Sequence, residues 1–353
     1  MSQNMLLPPT WHGRADRIPW KKFAWLRDLS NTTWCALNLT WFNHRDLPTG
    51  YNCYVISFYY EHIDEIWLQQ QCERIQAPII LLTDWHYYDW PAPPNVHCYT
   101  YLSLGQQAQQ IIEWWPTPVT KDIKYKASVF CNRVTQSKML IFTKLAETMG
   151  LENLISVLGT WVEDKNIHHW QDSGNQVLDN LQQTFKKQYL GKEIRFDDFA
   201  SKPNNSRTNS DPWTKAYQEC ALNFTNENFH YSYMQKHILP GPFFSEKTLK
   251  CLIGGTAFVS VAQFDTYRVL ENLGFKFDYG FDLSWDQDPG NLSRLESVVN
   301  LIDVLDRHTA QELYEMTLDS TRHNQDHVFS GAFAAQCDRY NQPVQQIIIN
   351  QFI

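Results

Sequence analysis

The sequence predicts an α/β protein made of two open, largely parallel sheets, and three observations carry that expectation. Cys53–Phe58 and Pro78–Asp84 are short apolar runs, with Ile63, Ile66, Trp67 and Ile75 at helical spacing between them. Strand, helix, strand within about 30 residues is a βαβ unit, and its crossover makes the strands parallel. The same alternation restarts at Ala127–Cys131, after a proline-containing break. The chain has 353 residues, 43% of them hydrophobic, which is enough for two domains with cores of their own.

Residues 1–20 are polar and proline-containing and read as a lead-in. After the first βαβ unit, Val96–Leu102 is a third strand and 105–114 a helix. No Gly-x-Gly-x-x-Gly follows any strand of this half, so the dinucleotide fingerprint is absent. Ligands of open α/β sheets sit beyond the carboxyl ends of the strands. Those ends carry Tyr59-Tyr60-Glu61-His62 and Asp84-Trp85-His86-Tyr87-Tyr88-Asp89-Trp90, aromatic faces beside groups able to take a proton. Glu61, Asp84 and His86 are therefore the candidates for a general base.

Trp115-Pro116-Thr117-Pro118 and the lysine-rich step from Lys121 to Lys126 read as a linker. The boundaries follow: 1–118, then 119–310, then helices over 311–353 that cross back to the first domain. The strand Ala127–Cys131 runs into Asn132-Arg133 and a helix whose buried face is Met139, Phe142, Leu145 and Met149, stopped by Gly150. Ile155–Trp161 is the next strand. The span 162–212 is polar and reads as an insertion, with Lys202–Arg207 a loop. Cys220–Glu227 is a strand and turn.

The chain is organised around Phe243–Gly255, followed by Thr256–Val261. A helix starts near Ser245, Leu249, Leu252 and Ile253 form its apolar side, and the glycine pair ends it before an apolar strand. That places Glu246, Lys247 and Thr248 in a first turn, where unpaired N–H groups and the helix dipole favour an anion. A lysine there adds charge for a phosphate, and a carboxylate can accept from ribose hydroxyls.

Ser245-Glu246-Lys247-Thr248, the strand at Phe258-Val259, Leu273-Gly274-Phe275 and the acidic-aromatic Asp282-Leu283-Ser284-Trp285-Asp286 resemble the donor-binding half of GT-B glycosyltransferases of the fucosyltransferase type. They resemble still more closely a group of viral and bacterial glycosyltransferase-like proteins. The likeness is most specific over 243–286 and thinner over roughly 125–310. It implies a GT-B-like fold, two Rossmann-like α/β domains facing a cleft, with a nucleoside-diphosphate sugar on the C-terminal domain and the acceptor on the N-terminal one. It implies that Asn132, Arg133 and Lys138 face the donor phosphates, although such proteins often have Arg where Lys138 stands. Glu227 precedes the motif and is expected on the donor sugar or ribose, or capping a turn. Transfer would be inverting and metal-independent, needing no cofactor beyond the donor substrate.

Two other patterns invite a metal reading and fail it. Asp286-Gln287-Asp288 lacks the strand context of a metal-binding Asp-x-Asp, and His323 with His327, four apart, lacks a third ligand and the Glu of His-Glu-x-x-His. Leu295, Val298, Val299, Ile302 and Leu305 mark one more helix, and a capping box at Thr309 and Glu312 opens another.

The net charge of −8 speaks against nucleic-acid binding by the whole surface. A local basic groove stays open, and with it a viral enzyme that glycosylates DNA bases. The eight cysteines form no Cys-x-x-Cys and several lie in apolar runs, the pattern of buried free thiols. No basic-then-apolar leader and no run of ~20 apolar residues occurs, so the expectation is a soluble cytoplasmic protein with no membrane span, in a host cell if viral. Asn31, Asn38, Asn204, Asn223 and Asn291 head glycosylation sequons that this expectation treats as chance. The acceptor is a glycan or another hydroxyl compound. The alternative class is a non-catalytic carbohydrate- or nucleotide-binding protein on a GT-B scaffold.

Overall fold

The computed structural model describes residues 5–7, 26, 34–39, 46–58, 65–84, 93–162, 173–196, 212–227, 242 and 244–352. The chain divides into two compact units, Met1–Gln107 with Ala334–Ile353, and Ala108–Phe333. Each is built on a five-stranded sheet with β-α-β connections, a generic Rossmann-like arrangement.

The first sheet runs β1 (Met5–Leu7), β2 (Trp34–Leu39), β3 (Cys53–Phe58), β4 (Ile79–Thr83) and β5 (Val96–Thr100), all parallel and in chain order. Met5–Leu7, inside the expected lead-in, is its edge strand, with Met5 opposite Cys35. Three residues ahead of Pro8-Pro9 carry too little pattern to declare a strand. Helix α1 (Glu65–Arg74) connects β3 to β4, and α2 (Leu104–Trp114) follows β5.

Alternate residues of β3 and β4, Cys53 with Val55 and Ile80 with Leu82, join one buried cluster with Leu26, Ala36, Tyr101 and Ile348. Ile348 comes from α10 (Ala332–Phe352), so the end of the chain supplies core to the first sheet. Burying such a side chain stabilises by about 1.5–3 kcal/mol. Two polar contacts fix the helix there: the Asn341 carboxamide accepts from the Leu102 N–H and donates to the Leu102 carbonyl, both at 2.8 Å. Gly105 permits the approach, since a Cβ there would lie 3.0 Å from the Ala334 Cα and 3.1 Å from the Cys337 Cβ.

The second sheet has the order β10-β9-β6-β7-β8, with β6 (Tyr125–Val134), β7 (Leu154–Val162), β8 (Ile194–Arg195), β9 (Cys220–Asn226) and β10 (Ala257–Val261). All neighbours are parallel except β7 with β8. The chain builds outward from β6 through β7 to β8, then returns to the other side of β6 for β9 and β10. This is the doubly wound order, and its reversal lies between β6 and β9.

Helix α3 (Gln136–Thr148) buries Met139, Phe142 and Leu145, and Gly150 beyond it takes φ 79°. In the span expected as a polar insertion, α4 (Gln176–Gln188) is a helix of this unit, and α5 (Pro212–Glu219) follows where that span ends. Leu178, Leu181, Gln182 and Phe185 of α4 are buried, and Asn175 caps it by accepting from the Val177 and Leu178 N–H groups. The apolar stripe of α4 is diluted by glutamine, lysine and asparagine, which hides its period. The loop expected at Lys202–Arg207 lies outside the described residues.

α6 (Glu246–Gly254) joins β9 to β10 and ends at Gly255 in the left-handed conformation, φ 59°. α7 (Thr266–Asn272), α8 (Asn291–Leu305) and α9 (Ala310–Phe329) complete the unit. α9 opens on the expected capping box between Thr309 and Glu312, and packs on α6 and β9. The Gln325 amide of α9 donates to the Ile253 carbonyl at 2.9 Å, closing the end of α6. Among the described residues no helix is long and apolar enough to cross a membrane.

Candidate ligand-binding site at the carboxyl edge of the second sheet

Where the strand order of an open α/β sheet reverses, the two central strands carry their crossovers to opposite sides and a crevice forms beyond their carboxyl ends. The ladders show where these two strands part. β6 and β9 pair from Tyr125–Cys220 to Val129–Phe224 and no further. β6 goes on with β7 to Val134–Val162, and β9 goes on with β10 to Asn226–Val261. The strands therefore part after Val129 and Phe224, and Asn132, Arg133 and Glu227, which the motif analysis singled out, follow the parting.

On the β9 side, Ser245 caps α6, its hydroxyl accepting from the Lys247 N–H at 3.2 Å. Glu227, the residue after β9, extends the ladder by donating its N–H to the Val261 carbonyl at 3.3 Å. Its side chain turns onto the start of α6, where Oε1 accepts from the Ser245 N–H at 3.2 Å and the Thr248 hydroxyl at 2.7 Å. A carboxylate of the protein thus takes the helix N-terminus that was expected to meet a ligand phosphate directly. Glu227 is only 2% exposed, and among the described residues its Oε2 has no hydrogen-bond donor.

Lys247 supplies the neighbouring cation. Its Nζ stands 3.9 Å from Glu227 Oε2, 3.6 Å from Glu246 Oε1 and 3.2 Å from Ser245 Oγ, and its side chain is 31% exposed. Burial alone would raise the Glu246 carboxyl, but Lys247, Lys250 and a backbone hydrogen bond outweigh it and hold the group below its ordinary value. Ser245, Glu246, Lys247, Thr248 and Glu227 thus form one connected cluster. Asn226, the last residue of β9, was passed over in reading the sequence. It is 3% exposed, and neither the oxygen nor the nitrogen of its carboxamide has a partner among the described residues. Each buried polar atom left so costs about 1–3 kcal/mol. The only sequence signal was its place, a polar residue ending an apolar strand just before Glu227.

Across the parting, Asn132 and Arg133 lie inside β6 rather than beyond it, at a register shift between Cys131 and Arg133. Such irregularities re-aim a strand end and cluster near sites. The two side chains lie outside what the structure describes. Lys138, in the first turn of α3, is buried.

Of the three base candidates, Glu61 and His86 lie outside the described residues. Asp84 follows β4 and is 1% exposed. Its two oxygens accept from the N–H and the hydroxyl of Ser103, the latter at 2.7 Å, at the residue preceding α2. It joins a strand end to a helix start.

The rejected metal patterns have structural employment. Asp286 accepts from the Thr266 and Tyr267 N–H groups at 3.0 and 2.9 Å, capping α7, and Asp288 accepts from the Gly290 N–H at 2.7 Å. His323 and His327 bond the carbonyls of Gly274 and Leu273 at the end of α7, at 3.0 and 2.8 Å. Among the described residues no group of three or more His, Cys, Asp or Glu is placed to hold a metal ion.

No protein-family model and no curated protein matches the chain.

Proposed function

We propose that the protein is a glycosyltransferase of the GT-B type, taking a sugar from a nucleoside-diphosphate donor held by its second unit. The observation that carries the reading is the parting of β6 and β9, with buried, unsatisfied Asn226 and Glu227 and the Lys247 ammonium at its β9 side. A doubly wound sheet with polar groups and a cation at its switch point is suited to a phosphorylated, hydroxyl-bearing ligand. In the reaction the acceptor oxygen bonds to the anomeric carbon, the bond from that carbon to the diphosphate breaks, and the acceptor proton passes to a base. Negative charge then grows on the departing diphosphate. Lys247, with Arg133 and Lys138 as the family resemblance assigns them, stabilises it electrostatically. Glu246 and Glu227 orient the donor, and the base is a carboxylate or histidine of the N-terminal half, with Glu61, Asp84 and His86 as the candidates. Transfer is inverting and independent of a metal.

The test is thermal stabilisation by GDP, UDP, dTDP, ADP and CMP in turn, on the wild type and on Lys247→Ala, since a ligand of the folded state raises Tm by mass action. The expectation is a shift with one diphosphate that is lost in the variant, each shift being read against that protein's own unliganded Tm, since removing Lys247 takes the cation from buried Glu227 Oε2. Indifference to all five would sink the proposal.

One observation favours a second reading, a non-catalytic binding protein on the same scaffold. Asp84, the one base candidate with a described environment, is buried and bonded to Ser103. A nucleotide sugar that stabilises the protein but is neither transferred nor hydrolysed on long incubation would select that reading. Turnover that appears only with DNA present would point instead to DNA-base glycosylation.

A further inference from the structure

The connections of Glu227 restrict what can occupy this site. Its Oε1 is fixed by Ser245 and Thr248, and its Oε2 is buried with only the Lys247 ammonium, 3.9 Å away, to balance it among the described residues. An anion that draws Lys247 toward itself leaves that oxygen with neither cation nor hydrogen bond, and a buried carboxylate in that state is strongly disfavoured. A ligand that brings a hydroxyl beside its anion removes the difficulty, because the hydroxyl donates to Oε2 as the ammonium leaves. Asn226 adds a separate constraint. Its carboxamide offers an unpartnered donor and an unpartnered acceptor. Phosphate oxygens without protons only accept, whereas a hydroxyl both donates and accepts.

We infer that the part of the ligand seated at the end of β9 is a pair of neighbouring hydroxyls, and that Glu227 selects for it and against a bare phosphate or pyrophosphate. The inference rests on the nucleotide-sugar reading and adds a specificity rule to it: anion and diol are bound together or hardly at all. Two parts of such a donor carry neighbouring hydroxyls, the ribose and the transferred sugar.

Calorimetric titration of the full chain tests this with GDP, UDP, ADP and CDP, each beside its 2′,3′-dideoxy counterpart, and with inorganic pyrophosphate. Hexose 1-phosphates beside inorganic phosphate form a second arm. In wild type the ribonucleotide that binds best is expected to hold about tenfold tighter than its dideoxy counterpart and than pyrophosphate, the worth of one hydrogen bond to a charged group. Glu227→Gln keeps an oxygen for Ser245 and Thr248 but puts an N–H where Oε2 stood. That variant is expected to bind pyrophosphate more tightly than wild type and the ribonucleotide less tightly, closing the gap to about twofold. If the dideoxy compounds lose nothing but hexose 1-phosphates outbind phosphate in a Glu227-dependent way, the diol belongs to the transferred sugar and the inference stands. Wild type that binds pyrophosphate or phosphate as well as every diol-bearing probe overturns it while leaving the nucleotide reading intact. So does a gap unchanged in Glu227→Gln. The wild-type comparison needs no variant to fold. Failure of every nucleotide and sugar phosphate to bind overturns the nucleotide reading and this inference with it.

Discussion

Glu227 has a structural duty that can be measured without any ligand. Ser245 and Thr248 are buried, and both donate to the same oxygen, Glu227 Oε1. Glu227→Ala removes that oxygen and leaves an N–H and a hydroxyl buried without an acceptor, at about 1–3 kcal/mol each. Water entering the vacated space recovers part of this, so the expected loss is about 3 kcal/mol. For a unit of this size that lowers Tm by about 6–12 °C. Thr248→Val deletes one donor and leaves the Ser245 bond, for an expected loss of about 1.5 kcal/mol. Glu227→Gln retains an acceptor for both and is expected to lose less than about 1.5 kcal/mol, because neutral hydrogen bonds replace charge-assisted ones. In Glu227→Ala/Thr248→Val the hydroxyl that would have been stranded is gone, so the double variant should be more stable than the sum of the singles by about 1–2 kcal/mol. Denaturant titration with a fluorescence signal from the second unit measures all four proteins. Additivity within about 0.3 kcal/mol would refute the reasoning, since it would mean that the two side chains do not share the bond.

Burial holds the Lys121 ammonium, which donates to the Tyr217 carbonyl and the Thr256 hydroxyl, down to about 7 from 10.5. Between those values the unfolded chain binds the proton and the folded one does not. The contribution is therefore present above 10.5 and lost as pH falls through about 7; relative to Lys121→Met, wild type should gain stability from neutral to alkaline pH in denaturant titrations. Asp286 has the opposite sign. Burial pushes its carboxyl up to about 7 from 3.8, so its contribution is present below 3.8 and lost as pH rises through about 7, and Asp286→Asn should flatten the decline over that window in thermal melts. Gly105→Val drives side-chain atoms into Ala334 and Cys337 and should cost about 1–3 kcal/mol, with hydrogen exchange accelerated in α10 first; unchanged α10 protection would contradict its docking on the first sheet.

How much of this was legible depends on how far each element is specified by its own residues. β4 is Ile-Ile-Leu-Leu-Thr and buried throughout, and such a run between helix signals can hardly be anything but a central parallel strand. α6 was readable because its start near Ser245 has an N-cap residue and its end has a glycine pair, of which Gly255 takes the positive φ. β1 is the contrary case, three residues that are a strand only because Cys35, Ala36 and Leu37 lie beside them. β6 ran past its expected end because Arg133 and Val134, beyond the irregularity at Asn132, are held by the ladder to β7. The site was half legible. Lys247 and Glu246 could be placed by motif, but the occupation of the helix N-terminus by Glu227 depends on a strand end meeting a helix start 18 residues later in the chain. Strand order is likewise a tertiary fact, and without it the parting of β6 from β9 could not be seen.

The polar atoms at that parting bear on whether the scaffold is in use. Asn226 ends, and Glu227 follows, a strand whose earlier residues are buried, between neighbours such as Phe224 and Val261 that would accept apolar side chains beside them. Valine at 226 would remove two buried polar atoms without partners, each worth about 1–3 kcal/mol of lost stability. Nothing in the fold requires that cost. The Glu227 oxygen facing Ser245 and Thr248 has a structural reason, since it caps α6, whereas the other oxygen caps nothing and faces the Lys247 ammonium at 3.9 Å. Residues that destabilise an empty site by several kcal/mol are explained when a ligand pairs with them, and a hydroxyl-bearing anion pairs with all three atoms and with Lys247 at once. A scaffold kept only for its shape would be more stable with apolar side chains there.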